Sequence, residues 1–506
     1  MAHIKADAIV IGSGISGLTT ASLLAGHGYD VVLVEQTPRP GGALKRFTRK
    51  GIPFDVGFHY TGGLGQGEIL HVLWDYLGIL PDIVPIAFPE TGNDNITVNG
   101  SNMPAVKHFF SYERLENELC SLFPAEQKAV RTYFKTVRAL ADTVPFYNLD
   151  LPVGSFLNAP LETNSEGLDR TITGLTSNPA LQAVLSNTFF LYGVDPRKIS
   201  MALHSFVSHG YYNGAYGIKG GGQAIVDAFT KSFVKSTVDL RTNCRISSIL
   251  VDNGTATGVI TDNGEQITAP NVIFTGHPGE FLKMVPENTF RPAYYSRVQD
   301  LQNTFSMFVV FAEILDSKIA EQLRWTNYYR VKPGLEQLNF DRKNPEKAAV
   351  LLTAPGLRDC GSGNSGAERG AIIMRLADWS ETAAFQDRDR KKRRQGYNDW
   401  KQQATEKLLA EAEKTWGFVK GTLEPVVSGS PLTFHDELDA PEGCVYGVQH
   451  NMNQFVARSR TKVQGLYLSG QSTLMTGVMG ASLSALMTVG EMVGMESVWD
   501  KVRGCR

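Results

Sequence analysis

The chain has 506 residues, 42% hydrophobic and 20% charged, with a formal net charge of −2 at pH 7. That length exceeds what one hydrophobic core usually holds, so two domains built from interleaved segments are expected, and the near-neutral balance excludes nucleic-acid binding by global attraction. The five cysteines, Cys120, Cys244, Cys360, Cys444 and Cys505, are odd in number and contain no CxxC pair, which excludes a disulfide framework and a cysteine-based zinc site and points to a reducing, cytoplasmic setting.

In chain order, Ala8-Ile9-Val10-Ile11 reads as a buried strand that starts within ten residues of Met1 and leaves no room for a signal peptide. Gly12, Ser13, Gly14 and Gly17 follow in GxGxxG spacing. A helix with Leu18, Ala21, Leu24 and Ala25 on one face comes next, then Val31 to Val34 closing on Glu35. Strand, glycine turn, helix, second strand and acid in that order form a dinucleotide-binding βαβ unit. Gly12 permits the tight turn, Gly14 lets backbone approach a pyrophosphate, and Gly17 lets helix and strand pack closely. Glu35, 18 residues beyond Gly17, suits an adenosine ribose, and its charge repels a 2′-phosphate, which argues against NADP.

Pro38 to Gly42 is a turn in which Gly41 and Gly42 allow close backbone approach, and Phe54 to Gly63 mixes aromatic and glycine residues with His59 and Tyr60. The apolar run 69 to 88 reads as core, or as a segment that docks on a bilayer or lines a greasy tunnel. Residues 112 to 210 have helical periodicity, Gly220-Gly221-Gly222 interrupts it, and Ala224 to Phe233 resumes it. From 238 to 275 the period becomes two, with hairpin signals at Asp252-Asn253-Gly254 and Asp262-Asn263-Gly264, so a β-meander is expected. Apolar strand-like runs at 306–312, 349–354 and 371–375 enclose a glycine-rich loop at 361–370, and 388–416 reads as a helix carrying the basic run Arg388 to Arg394. That run is a solvated face or a contact for anionic headgroups. Leu466 to Ser469 is a short strand entering a glycine turn and a helix from about 480 to 494; the glycines and Glu491 in the apolar stretch 475–495 make it a buried helix rather than a membrane span.

Together the fingerprint, Pro40-Gly41-Gly42, Asp55 to Tyr60, Gly220 to Gln223, Cys244 to Ile249 and Leu468 to Gln471 resemble the phytoene desaturase, carotenoid isomerase and retinol saturase group of FAD-dependent flavoproteins. The resemblance runs end to end and is densest in the flavin-binding parts. It implies an α/β chain with a discontinuous Rossmann-like FAD-binding domain carrying a β-meander (1–100, 215–290 and 431–506) and a mixed α+β substrate domain with a helical part (101–214 and 291–430). It implies FAD held by Gly12, Ser13, Gly14 and Gly17 at the pyrophosphate, Glu35 at the ribose, and Gly41 and Gly42 beside it. Ile246 would meet the adenine, Gly57 to Tyr60 would lie near the flavin ring, and Gly470, Gln471, Val478, Met479, Gly480 and Ala481 would reach the ribityl chain and ring. Many members have an acid where this chain has Gln471; a neutral amide still bonds a ribityl hydroxyl.

The expected activity is FAD-dependent redox or isomerisation at carbon-carbon bonds of a long apolar polyene, carotenoid, retinoid or other unsaturated lipid. One fingerprint means one dinucleotide, so the electron donor or acceptor is external, with contact at a membrane surface. An amine oxidase-like flavoenzyme and a flavin-free prenyl-binding escort are the competing readings. His59 and Tyr60 are the catalytic candidates: an imidazole titrates near neutrality, although a ring that only hydrogen-bonds its loop is the commoner case. His204 and His209, five apart with no HExxH pattern, give no metal site. The aromatics Phe109, Phe110, Phe189, Phe190, Tyr211 and Tyr212 suit a long apolar ligand or plain core.

Overall fold

The computed structural model describes residues 4–154, 166–341, 344–359, 369–386 and 396–506. Cys360, the basic run Arg388 to Arg394 and most of the glycine-rich loop lie outside the described residues.

Every residue of Ala8–Ile11 and Val31–Val34 is buried, which is why both strands are apolar without alternation. They sit in a five-stranded sheet in the order Val238–Arg241, Val31–Val34, Ala8–Ile11, Asn271–Phe274, Leu466–Leu468. All four pairings are parallel, with Ala8 opposite Val31 and Asn271, and Val272 opposite Leu466. The fingerprint helix Ile15–Gly26 packs on the late helix Gly477–Val493, so the two ends of the chain close one layer of this unit. In an open parallel sheet ligands collect beyond the carboxyl ends of the strands. Those ends here are Gly12, Glu35, Thr275 and Ser469 with Gly470.

The expected meander is shorter than 238–275. Ile246–Asp252, Thr255–Thr261 and Gln266–Thr268 form the antiparallel part, turning at Asn253 (φ 47°) and Gly254 (φ 78°), while Val238–Arg241 and Asn271–Phe274 belong to the parallel sheet. The reason is burial: Val272, Ile273 and Phe274 are enclosed on both faces, as only an inner strand can be.

A seven-stranded sheet runs Leu423–Gly429, Ser306–Ile314, Gly370–Ala377, Val350–Thr353, Thr326–Val331, Asn93–Val98, Val106–Phe109. The three apolar runs read as strands are its adjacent members, and its one parallel pair joins Asn93–Val98 to Thr326–Val331. Asn93–Val98, from the early part of the chain, thus lies in the sheet that also holds the five strands between Ser306 and Gly429. Helices including Tyr112–Leu122, Gln127–Ala141 and Met201–Tyr212 flank it. In the apolar run 69–88, Ile69, Leu70, Val72, Leu73 and Trp74 are core of the helix Ile69–Tyr76. No described helix is long and apolar enough to cross a membrane. The fold is α/β, a discontinuous Rossmann-like unit with a meander joined to a mixed α+β part.

Candidate functional site

A cavity of about 440 Å³ runs along the carboxyl ends of the parallel sheet and on to the face of the seven-stranded sheet. Its first half is built from the fingerprint. Gly12 has φ 100°, and a Cβ there would lie 2.6 Å from Thr275 Oγ1. Ser13 turns inward: its Oγ donates to Glu35 Oε2 at 2.5 Å, while Glu35 Oε1 accepts from the Thr37 amide and hydroxyl at 2.8 Å each. Glu35 is buried at the tip of its strand. The Gly41 amide donates to the Ser13 carbonyl at 3.0 Å, and Gly42 at φ 54° brings its backbone over Gly14, where a Cβ would stand 3.3 Å from the Gly14 Cα.

Gly57, Ile246, Gly470, Gln471, Val478, Met479 and Ala481 also line this cavity, as do His59 and Tyr60. Two of the expected residues do not. A Cβ on Gly17 would lie 1.8 Å from the Gly12 carbonyl oxygen, and one on Gly480 would lie 2.4 Å from that of Met475. Both are close-packing glycines behind the wall: they shape it and do not face the cavity.

Three observations test whether a dinucleotide fits. The helices Ile15–Gly26 and Gly477–Val493 both begin at the cavity without a side-chain cap, leaving first-turn N–H groups in want of an acceptor. A methyl group at Gly14 would meet nothing within 4 Å, so space lies directly over the first of these helix ends. His59 Nδ1, at the cavity wall, has no hydrogen-bond partner among the described residues. An extended anion with a polar ring edge matches all three.

The second half is different in chemistry. The sheet contributes Met307, Val309, Tyr329, Leu351 and Met374; the helical part contributes Phe190, Leu191, Val207 and Tyr211; Val445, Tyr446 and Met475 close it. None of these is formally charged. The charged lining is Glu35, Lys45, Arg245 and Glu280 from the parallel-sheet end and its surrounding segments, with Glu437 and Asp439 from the end of the helix Pro431–Leu438, which packs on the seven-stranded sheet; Asp439 pairs with Arg245. Of the paired aromatics, Phe190 and Tyr211 reach the cavity, whereas Phe189 and Tyr212 are core.

Behind Tyr60 lies a buried polar cluster. The Tyr60 hydroxyl donates to Asp94 Oδ2 at 3.1 Å and shares a 3.0 Å hydrogen bond with the Tyr329 hydroxyl. Asn327 Nδ2 donates to Asp94 Oδ1 at 2.7 Å, and Asn327 Oδ1 accepts from Thr353 Oγ1 at 2.7 Å and Arg358 at 2.9 Å. Arg358 also donates to the His59 and Arg324 carbonyls at 2.9 and 3.0 Å. Burial pushes the Asp94 carboxyl up to about 7 against the opposing pull of its hydrogen bonds and of Arg358. Burial, reinforced by the Arg358 charge, pulls His59 down to about 4. Tyr60 is held well above its ordinary range, by burial first and then by Asp94. Asp94, Asn327, Tyr329 and Arg358 were not anticipated. Asp94 sits in Asn93-Asp94-Asn95, polar enough to read as a loop, and the only local signal was the alternation that resumes at Ile96 and Val98.

The family model described as flavin containing amine oxidoreductase matches residues 15–354. The chain belongs to that family. It is an FAD-dependent oxidoreductase, and the FAD expected from the fingerprint is its cofactor. Among curated relatives, the all-trans-retinol 13,14-reductase of Danio rerio is 27% identical, covering 96% of this chain and 86% of that enzyme. The chloroplastic prolycopene isomerase of Daucus carota is 29% identical over 53% of this chain and 45% of its own length. A solved structure of wild-type putrescine oxidase bound to putrescine matches with a TM-score of 0.63 at 15% identity, covering 97% of this chain and all of the other, a likeness of fold.

Proposed function

We propose that this flavoenzyme acts on carbon-carbon bonds of a long apolar polyene, a carotenoid, a retinoid or a related unsaturated lipid, as desaturase, saturase or cis-trans isomerase. The observation that carries the reading is the second half of the cavity, lined by methionine, aliphatic and aromatic side chains with no formal charge. Relatives whose names specify a retinol and a lycopene isomer support it. A cationic amine resting against those side chains would find no carboxylate among them.

Gly12, Ser13 and Gly14 with the adjoining helix end would hold the FAD pyrophosphate, Glu35 the ribose, Gly41 and Gly42 the turn beside it, and Ile246 the adenine. Gly470, Gln471, Val478, Met479 and Ala481 would meet the ribityl chain and ring, with Gly57 to Tyr60 opposite. FAD, when bound, supplies the two-electron store that the side chains lack. The chain's own residues do the rest. Met307, Val309 and Met374 on a rigid sheet orient an extended hydrocarbon and exclude water. His59 is neutral at pH 7, so it acts as a hydrogen-bonding ring and not as an acid. Tyr60 retains its proton there.

The reading extends to a cytoplasmic protein that meets its substrate at a membrane surface and exchanges electrons with an external donor or acceptor. A single dinucleotide fingerprint supports the external partner. The test is anaerobic mixing of the oxidised and the reduced holoenzyme with all-trans-retinol, prolycopene, an unsaturated acyl lipid and putrescine, following the flavin spectrum and the products. A polyene is expected to change the flavin's redox state or to be isomerised. Reaction with putrescine alone would overturn the substrate class in favour of an amine oxidase, and a colourless preparation would favour an escort.

A further inference from the structure

Tyr60 and Tyr329 both line the apolar half of the cavity, and their hydroxyls stand 3.0 Å apart. The Tyr60 hydroxyl reaches 3.1 Å inward to Asp94, which does not line the cavity and is 5% exposed. The Asp94 carboxyl is thus cut off from solvent and touches the reaction space only through a phenol. Its other oxygen is fixed by Asn327, whose own carbonyl oxygen is fixed in turn by Thr353 and Arg358. A buried acid held on one side by a neutral amide, and on the other by a hydroxyl that can pass a proton, has the wiring of a proton relay.

We propose that Tyr60 is the group that gives or takes the proton at a substrate carbon in this cavity, and that Asp94 is the positioning residue and proton store behind it. The inference rests on the polyene reading above. In the saturating direction one carbon of a double bond would take the hydride that bound, reduced FAD supplies. The neighbouring carbon receives a proton as the Tyr60 O–H bond breaks, so two electrons and two hydrogens are added in all. The phenolate then regains its proton from the Asp94 carboxyl, which recharges back through the Tyr60 hydroxyl once the product has left and water enters the cavity. Desaturation runs the same transfers backwards.

The groups facing Asp94 are Tyr60 from the 57–62 segment, Asn327 and Tyr329 from Thr326–Val331, and Arg358 from the turn Pro355–Arg358. Tyr211 from Met201–Tyr212 stands edge-on to Tyr60 at 5.4 Å, and His108 lies opposite Asp94 on the neighbouring strand with its ring 5.3 Å from Tyr212. Arg358 is the one cation in this set at neutral pH. Its attraction favours the charged form of Asp94, against burial, which favours the neutral one.

The experiment uses holoenzyme of the wild type, Asp94→Asn and Tyr60→Phe, each checked for bound flavin, and takes two readings. In infrared difference titrations of the resting protein, a protonated-carboxyl band is expected to disappear with a midpoint near 7, to be missing in Asp94→Asn, and to shift its midpoint in Tyr60→Phe. In steady-state assays with all-trans-retinol and prolycopene, kcat is expected to fall roughly 100-fold in Tyr60→Phe and at least 10-fold in Asp94→Asn, with KM within about twofold and the limb of the pH profile near 7 abolished. A carboxyl band that survives in Asp94→Asn, or a midpoint that ignores Tyr60→Phe, overturns the pairing. Full turnover by Tyr60→Phe overturns its role as proton carrier. If neither polyene reacts with the wild type while the band behaves as stated, the relay stands and the substrate class falls.

Discussion

A methyl group at Gly14 would meet no protein atom within 4 Å, whereas one at Gly17 would be driven into the Gly12 carbonyl oxygen. Gly14 also has φ −64°, which any residue adopts. Gly14→Val is therefore expected to fold and to emerge colourless, because the added carbons occupy the space over the helix end. Gly17→Ala is expected to lose stability by about 3 kcal/mol or more through overpacking against backbone. Flavin content after gel filtration and denaturant unfolding of the flavin-free proteins separate the two; a yellow Gly14→Val would remove the helix end from cofactor binding. Asp94 gives a second residue-scale prediction. Its folded-state value, near 7, lies above the ordinary 3.8, so the native protein binds the extra proton and the stability this adds is lost as pH rises through 7. The stability advantage of the wild type over Asp94→Asn is expected to shrink between pH 4 and 8 by an amount on the order of 4 kcal/mol, read from urea midpoints.

The hairpin Arg46–Arg49 with Ile52–Asp55 is latched as an element and not by its turn. Arg46 donates to both Asp55 oxygens at 3.0 and 2.8 Å and pairs with Asp359 at 2.5 Å, and Asp55 Oδ1 also accepts from the Gly222 amide at 3.3 Å. One guanidinium thereby ties the hairpin to the turn ending at Arg358 and to the start of the helix Gly221–Phe233. Removing the cation leaves a buried carboxylate without compensation, so Arg46→Met is expected to cost about 3–5 kcal/mol in denaturant unfolding, and the double change to Arg46→Met with Asp55→Leu markedly less. An Arg46→Met protein as stable as wild type would show the latch to be ornamental. At this scale the sequence was readable wherever the chemistry was local. The βαβ unit lies within 35 residues, and each of its elements announces itself by an unbroken apolar strand, a glycine turn or a terminal acid. Val238–Arg241 was harder, because Val-Asp-Leu-Arg alternates like a meander strand yet sits at the edge of the parallel sheet. The Asp94 cluster was out of reach, since Asp94 and Asn327 meet across 233 residues and Asp94 stands between two asparagines that read as a loop.

Across the whole molecule, histidines are buried neutral at several points. Burial lowers His59 and His108 to about 4 and His204 to about 3, the last lying between the Tyr133 hydroxyl at 2.7 Å and the Tyr192 hydroxyl at 3.1 Å. For each, the unfolded chain binds a proton below about 6.5 that the native state refuses, so stability is lost as pH falls from 6.5 toward 4. Three such groups outweigh the opposite slope of Asp94, and unfolding free energy is expected to drop by several kcal/mol over that interval. Melting temperatures that stay level from pH 6.5 to 4 would contradict this, and His204→Phe should flatten part of the slope. The five-stranded sheet has a further consequence. Its edge strand Leu466–Leu468 and the helix Gly477–Val493 that packs on the fingerprint helix are polymerised long after Gly12. At ribosomal speeds of 5–20 residues per second, roughly 20–90 s separate the two. For the last part of that wait, about 10–40 s after Asn271–Phe274 is made, the nascent chain displays an unfinished hydrophobic edge beside that strand, and the vitamin-derived prosthetic group has only one wall to lean on. Flavin capture is therefore a late event in biogenesis, and chaperone occupancy on the ribosome should peak before the closing strand emerges.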